Sequence, residues 1–503
     1  MATARVGAHY YLWYRKDQWD RQACRQQPRI GFYHSVEREV VEYHIALAHG
    51  WGIRTFVLEC VDPRHTPIDE VFFAGDAQRP RNVGDLDYAV LYDIDIRLKT
   101  RAGFGDGSCH PTGRWFYDFT ARCGEFQELS VGQIWEEDLR AIIDKYAMNV
   151  TWPYLHVRDR PLIWLYNALW YGDGWRERMA AVRQYARDRY HREPYFVADL
   201  GWVRWPEDAH GVELATFLAP LADGTAPFDA VSGYSAPFTS RDPRSQIDVK
   251  RANFDHVRAQ AAEAGVTIDI LPSAAPQFQM HERCGEPFPA GRYSFLESPD
   301  EFREVLREVR ALVPDVVDGH FFVTTFNEWH EGTTVEPTRK APSLAAKFHR
   351  RADPDPDGTK NGLYEFELLD AIRAELGDED APPPLAARIV TDTLGADGVK
   401  LTAGHKHEFT ITVENTGGFA WSPLAQVRLG RNDPDDHENP ARLSGRVELP
   451  ARSLTRRGTT ATFRVSVSPP AELRGKTLTL EMQMLVENHV RFGDLWRKRV
   501  TFV

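Results

Sequence analysis

Eight short apolar runs punctuate the chain as far as residue 327. They are VGAHYYLWY (6–14), RTFVLEC (54–60), YAVLYDI (88–94), RPLIWLYN (160–167), PYFVADL (194–200), FDAVSGY (228–234), TIDILPS (267–273) and GHFFVTTFN (319–327). Each is of strand length and almost continuously hydrophobic, the pattern of strands buried on both faces of a parallel sheet. Between them lie segments with apolar residues at helical spacing: 35–52, 132–148, 245–265 and 298–313. Ser35, with Arg38 at the capping-box position, offers a partial cap to the first, and Ser298-Pro299-Asp300-Glu301 opens the last as an N-cap followed by proline. NGLYEFELLDAIRAELG (361–377) reads as a closing helix stopped by Gly377. Eight strands alternating with helices predict an α/β fold, a (β/α)8 TIM barrel with long loops. A doubly wound open sheet is the competitor, but no GxGxxG or Walker loop follows any strand.

The pattern changes at GDEDAPPPLAAR (377–388), acidic and then proline-rich, as in an interdomain linker. Beyond it HEFTITVENTG, ATFRVSVSP and KTLTLEMQMLVE alternate apolar and polar residues with period two. This predicts an antiparallel β-sandwich of about 115 residues, immunoglobulin-like in size. ENTGGFAW (414–421) places a turn before a strand opening at Phe419 and Trp421, and with RFGDLW (491–496) it resembles accessory immunoglobulin-like domains of bacterial enzymes. The expected division is a barrel over 1–378, a linker over 379–387 and a sandwich over 388–503.

Charge and composition narrow the function. The net charge of −12, without a basic stripe, argues against a nucleic-acid partner. No run of 18 apolar residues exists, so no membrane span is expected, and no leader pattern opens the chain, which reads as cytoplasmic. Five scattered cysteines without CxxC spacing argue against a disulfide scaffold and a structural zinc site, although Cys109 and Cys123 could pair. No metal or other cofactor is called for, and the oligomeric state is left open. Twelve of the 14 tryptophans precede residue 380, so aromatic surface for a ligand belongs to the barrel part.

The chemistry concentrates in FNEWHEGTTVEP (326–337), where Glu328, Glu331 and Glu336 fall within nine positions among aromatic residues. It follows the eighth run directly, the end of a barrel strand at which active sites lie. Two acids in one desolvated site split their proton affinities, and glycoside cleavage needs that division: one group for the attacking oxygen, one for the leaving oxygen. The alternative is a loop whose glutamates cap helices or face water.

GAHYYLWY and NEWHEGTTVEP together resemble the endo-α-mannosidases of glycoside hydrolase family 99 and their wider relatives. GFYHS ahead of a helix bearing His44, AHGWGI (48–53) and RPLIWLY agree, so the resemblance spans about residues 6 to 376. It implies that Glu328 and Glu331 are the catalytic pair of a retaining, endo-acting α-glycosidase on mannose-type or related bacterial oligo- or polysaccharides. It implies that Glu328 takes the proton of the sugar 2-hydroxyl, closing a 1,2-anhydro intermediate, that Glu331 is the acid/base, and that Glu336 supports the loop or binds a hydroxyl. The family's second strand commonly ends in Ser-Trp, whereas FVLEC ends here in Glu59 and Cys60, replacing an aromatic sugar contact with a carboxyl group.

Other strand-end residues fall where barrel ligands bind. Tyr10, Tyr11 and Trp13 form either a stacking floor or core. Tyr33 and His34 lie in the second-strand entry loop, and Asp93, Asp95, Tyr166, Asn167, Asp199, Trp202 and Tyr234 end later runs. Asn327, Trp329 and His330 flank the glutamates, and Trp115, Trp170, Trp175 and Trp205 are loop candidates for sugar platforms or simple burial. Two other functions remain open: a role in building or trimming surface polysaccharide, and a catalytically silent carbohydrate-binding protein.

Overall fold

The structure is a computed structural model that describes residues 4–16, 27–102, 117–122, 128–201, 212–234, 244–276, 278–279, 293–294, 298–329, 331–338, 365–432 and 439–503. Its contacts divide into two compact units, residues 1–37 with 52–378 and residues 38–51 with 379–503.

The first unit is built on a parallel sheet. In chain order its strands are β1 (Arg5–Tyr10), β2 (Ile53–Cys60), β3 (Asp87–Tyr92), β4 (Arg160–Leu165), β5 (Tyr195–Asp199), β6 (Ala230–Ser232), β7 (Asp269–Ile270), β8 (Ser273–Ala274) and β9 (His320–Val323). The hydrogen-bonded path runs β7-β6-β5-β4-β3-β2-β1-β9-β8. Both ends of that path fall on the stretch 269–274: Leu271 N–H donates to Val231 O at 2.9 Å, and Phe322 N–H donates to Pro272 O at 2.9 Å. The parallel strands therefore follow one another around a barrel-like sheet. The run TIDILPS forms two short strands because Pro272 has no N–H to donate to a ladder.

The barrel strands are buried, so aromatic rings fill their centre. Trp164 meets His9 edge-on at 4.8 Å and Phe322 at 5.0 Å. Gly7 is required there by close approach: a Cβ at that position would lie 2.6 Å from Phe322 Cε1. Burial drives the His9 imidazole down to about 3, so it is a neutral core ring at ordinary pH.

The helices of this unit are α2 (Pro67–Phe72), α3 (Ile94–Ala102), α4 (Val131–Ile142), α5 (Trp175–Tyr190), α6 (Leu214–Leu218), α7 (Arg244–Glu263), α8 (Pro299–Ala311) and α9 (Glu367–Leu376); α1 (Arg38–Gly50) belongs to the other unit. The expected boundaries shift where side chains compete with the backbone. β1 stops at Tyr10, and 11–14 become a loop. Ser35 does not cap α1, because its Oγ donates to Tyr14 O at 3.1 Å. Conversely, α4 carries a complete capping box: Gln133 N–H donates to Ser130 Oγ, and Ser130 N–H to Gln133 Oε1. α4 runs on into a wider turn over Ile143–Ala147. Ser298 precedes α8 without a side-chain cap bond.

The second unit holds two sheets. One is β10 (Ala387–Asp392), β12 (His407–Asn415) and β15 (Thr460–Val467); the other has β11 (Val399–Leu401), β17 (Val490–Phe502), β16 (Thr477–Val486), β13 (Val427–Arg431) and β14 (Arg446–Glu448) in spatial order. Phe409 of the first sheet stacks on Trp496 of the second at 5.5 Å. All pairings are antiparallel except that of β11 with β17. The strand expected to open at Phe419 begins instead at Val427. Residues 417–419 engage the proline-rich stretch, with Gly418 and Phe419 N–H groups donating to Pro383 O and Pro384 O at 2.9 Å each. Gly417 allows that approach, since a Cβ would lie 2.5 Å from Pro384 O. α1 groups with this unit through Trp51 against Phe419 and His49 Nδ1 at 3.2 Å from Gly418 O.

Candidate active site

Beyond β9 the chain leaves the sheet across a cis Thr324–Thr325 peptide and folds back on itself. Thr325 N–H donates to Thr333 O (2.9 Å), Val335 N–H to Thr325 O (3.0 Å) and Glu336 N–H to Phe326 O (2.8 Å). The turn closes at Gly332, whose φ of +63° is the left-handed conformation that glycine adopts without strain. This places residues 327–329 against the loop that follows β1.

Three side chains fix them there. Asn327 Nδ2 donates to Tyr11 O, and its Oδ1 accepts from Tyr11 N–H, both at 2.8 Å. The Tyr14 hydroxyl donates to Glu328 Oε1 at 3.0 Å and accepts from Trp329 N–H at 2.8 Å. Glu328 N–H in turn donates to Thr325 Oγ1 at 2.8 Å. Glu328 is buried, at 2% exposure, whereas Glu331 is half-buried.

Glu336 sits apart from the chemistry. Its Oε2 accepts from Tyr33 O–H at 2.7 Å and from Trp329 Nε1–H at 3.1 Å, and the residue is buried. Tyr33 and Trp329 are thereby tied into the loop's framework and have no free face for a sugar, contrary to their place among the candidate binding residues.

Glu328 and Glu331 both bear on Tyr11 and Tyr234, and Glu59 bears on Tyr11. Burial first, then the neighbouring acids Glu59, Glu328 and Glu331, push the Tyr11 hydroxyl well above its ordinary range. Tyr234 is raised by burial and then by Glu331, Tyr11 and Glu328. Tyr166, half-buried at the end of β4, is raised by burial, Glu331, Asp93, Asp199 and Asp95, and its ring meets Tyr234 edge-on at 5.5 Å. The ends of β1, β2, β3, β4 and β6 and the loop after β9 thus converge on one acidic, tyrosine-rich centre.

Glu59 is bonded to a second acid. Burial, then the charge of Asp93 and those of Glu328 and Glu331, with a hydrogen bond to Asp93, raise its carboxyl well above the usual carboxylate range. It remains half-buried because it lines a cavity of about 340 Å³ with Trp13, Leu12, Val61, Asp62 and His65. Asp93 is buried, and its Oδ1 accepts from Ile96 N–H at 3.0 Å in the first turn of α3. Beneath the cavity wall, Arg97 bridges Asp62 (2.9 Å) and Asp138 (2.8 Å), with Tyr92 O–H also on Asp138.

Asp199 supports the other side. It accepts from Gly201 N–H (2.7 Å), Tyr234 N–H (3.0 Å) and Trp164 Nε1–H (3.2 Å), and burial raises its carboxyl to about 6. Lys250 of α7, buried in the charge field of Asp199, is pushed well below the usual lysine range by desolvation.

The remaining candidates separate. Trp13 faces the cavity and lies 4.5 Å, ring to ring, from Tyr11. His34 is half-buried, and no hydrogen bond among the described residues joins its ring to the acids. Tyr10 is core, stacked on Phe56 at 4.4 Å. Asp95 accepts from Tyr117 O–H at 2.5 Å. Trp175 is no loop platform: it opens α5 and packs against Phe217 and Phe228. Trp202, His330, Trp115, Trp205, Cys109 and Cys123 lie outside the described residues. Sequence reasoning assigned no part to Tyr14, Thr325 or Lys250. Tyr14 was within reach of it, as the last residue of the motif YYLWY.

Among the described residues no group of three His, Cys, Asp or Glu side chains could hold a metal ion, and no helix is long and apolar enough to cross a membrane.

No protein-family model and no curated protein matches the chain. Among solved structures it is similar to a glycoside hydrolase-like protein, at 15% identity over 75% of this chain and 94% of that one, with a TM-score of 0.49. It is also similar to the GH99 endo-alpha-mannosidase from Bacteroides thetaiotaomicron, at 14% identity over 74% and 96% of the two chains, with a TM-score of 0.47. An endo-fucoidan hydrolase from glycoside hydrolase family 107 follows at 10% identity, over 100% of this chain and 67% of that one, with a TM-score of 0.30.

Proposed function

We propose that the chain is a retaining α-glycoside hydrolase on a (β/α)8 barrel, endo-acting on mannose-type or related bacterial glycans. The observation that carries this reading is the pairing of Glu328 and Glu331 in the loop after the last barrel strand. Both act electrostatically on the same two phenols, Tyr11 and Tyr234, which supports their working at one site. Their settings differ: Glu328 is buried and accepts from the Tyr14 hydroxyl, a bond that favours its anion, and Glu331 is half-buried.

The roles follow the resemblance of NEWHEGTTVEP to the glycoside hydrolase family 99 motif. Glu328 accepts the proton of the sugar 2-hydroxyl as O2 attacks the anomeric carbon. The glycosidic C1–O bond breaks, and Glu331 gives its proton to the leaving oxygen. The intermediate is a 1,2-anhydro sugar. Water then attacks C1, giving its proton to Glu331, while Glu328 returns a proton to O2. An axial 2-hydroxyl opposite an α-linked leaving group makes the first step intramolecular, with its proximity advantage. Tyr14 holds Glu328 in one rotamer, and Glu336 holds the loop. The second unit, beyond a linker at 379–387, is proposed to be an immunoglobulin-like sandwich accessory to the barrel.

The test is release of reducing ends from α-linked mannooligosaccharides and mannan by the purified chain. Turnover abolished in Glu331→Gln, with unchanged circular dichroism, supports the reading. Wild-type binding to these glycans without turnover favours the silent binding protein.

A further inference from the structure

Glu59 ends β2 with its carboxyl hydrogen-bonded to Asp93, and two carboxyl groups so joined hold a proton between them. Which one carries it follows from their surroundings. Asp93 precedes the first turn of α3 and accepts the Ile96 N–H there, an arrangement that favours the anion. The charges of Glu328 and Glu331 bear on Glu59 as well and disfavour its anion. The proton therefore resides on Glu59, which donates it to Asp93. The other oxygen, Glu59 Oε2, is buried and has no hydrogen-bond partner among the described residues. The residue lines the 340 Å³ cavity beside Trp13. A buried acceptor left unmatched is destabilising, so a donor from a ligand is favoured there.

We propose that Glu59 is a specificity-determining residue of this site: its Oε2 accepts a hydrogen bond from a hydroxyl of the sugar unit seated against Trp13, and that unit is an uncharged sugar. The acids explain the second half. Asp93, Glu328 and Glu331 bear electrostatically on Glu59, so a uronate or sulfate entering here meets the like charge of the Asp93 and Glu328 carboxylates in a desolvated cavity. A hydroxyl matches a neutral carboxyl oxygen without bringing a charge. The proposal rests on the glycosidase reading of the same site and adds the character of the bound unit.

The experiment measures calorimetric binding of α-linked mannooligosaccharides and of oligogalacturonides in the Glu331→Gln background. The neutral oligosaccharides are expected to bind and the acidic ones not. Glu59→Ala is expected to weaken binding about tenfold or more. Glu59→Gln is expected to restore it, because its amide donates to Asp93 while its carbonyl still accepts. Circular dichroism of each variant separates loss of binding from loss of fold. Neutral-glycan binding unchanged in Glu59→Ala, or tighter binding of the oligogalacturonides, overturns this inference alone. Binding of no glycan by any form overturns it together with the glycosidase reading.

Discussion

Asn327 meets Tyr11 across 316 residues with a matched pair of 2.8 Å hydrogen bonds, one to the backbone carbonyl and one from the backbone N–H. Only a carboxamide does both at once. It clasps the loop carrying Glu328 to the end of the first strand, so the position of one catalytic candidate is set by the start of the chain. Asn327→Asp removes the donor and sets a carboxylate against Tyr11 O. The expected loss is about 2–4 kcal/mol of stability in urea denaturation, with lower activity in the fraction that folds.

Tyr14 links the same two segments through its hydroxyl. Tyr14→Phe leaves Trp329 N–H without its acceptor and Glu328 Oε1 without its donor. The expected result is a fall in kcat of about tenfold or more with KM little changed, since the lost contact orients a reacting group and touches no substrate. A KM increase at constant kcat would place Tyr14 in binding instead.

Gly7 marks where the barrel core is tightest. Gly7→Ala sets a methyl group 2.6 Å from the Phe322 ring and is expected to cost about 1–3 kcal/mol. Combining it with Phe322→Leu is expected to recover part of that loss, a coupling readable in a double-mutant cycle.

Asp199 gives stability a pH signature. Burial raises its carboxyl from the ordinary 3.8 to about 6, so the folded chain still holds a proton between about pH 4 and 6 where the unfolded chain has released it. The contribution is fully present below about pH 4 and is lost as pH rises through about 6. Urea midpoints across this window are expected to vary less in Asp199→Asn than in the wild type.

Much of this architecture is legible in the residues. Near-continuous apolar runs mark β1 to β6 and β9, and FNEWHEGTTVEP marks the loop that holds the acids. What the pattern missed are competitions between side chain and backbone. Hydrophobicity continues through Tyr11 to Tyr14, yet the strand stops because Asn327 takes the backbone of Tyr11. Ser35 looks like a cap and instead bonds Tyr14, whereas the segment read from 132 is capped by Ser130, with Gln133 completing the box. Tyr33 and Trp329 look like sugar-binding residues, and only their hydrogen bonds with each other and with Glu336 reveal them as framework. The Glu59–Asp93 pair joins two strand ends 34 residues apart, a meeting that depends on the register of β2 with β3, where Cys60 stands opposite Tyr92.

The central claim is that Glu328 and Glu331 together cleave an α-glycosidic bond with retention. The most direct measurement follows the anomeric proton signals of the first product formed from an α-linked mannooligosaccharide, for the wild type, Glu328→Gln and Glu331→Gln. The account predicts that the α-anomer appears first with the wild type, and that each variant turns over slower by a factor on the order of 10² to 10⁴ while keeping its fold. Initial release of the β-anomer, or wild-type rates in either folded variant, would contradict it.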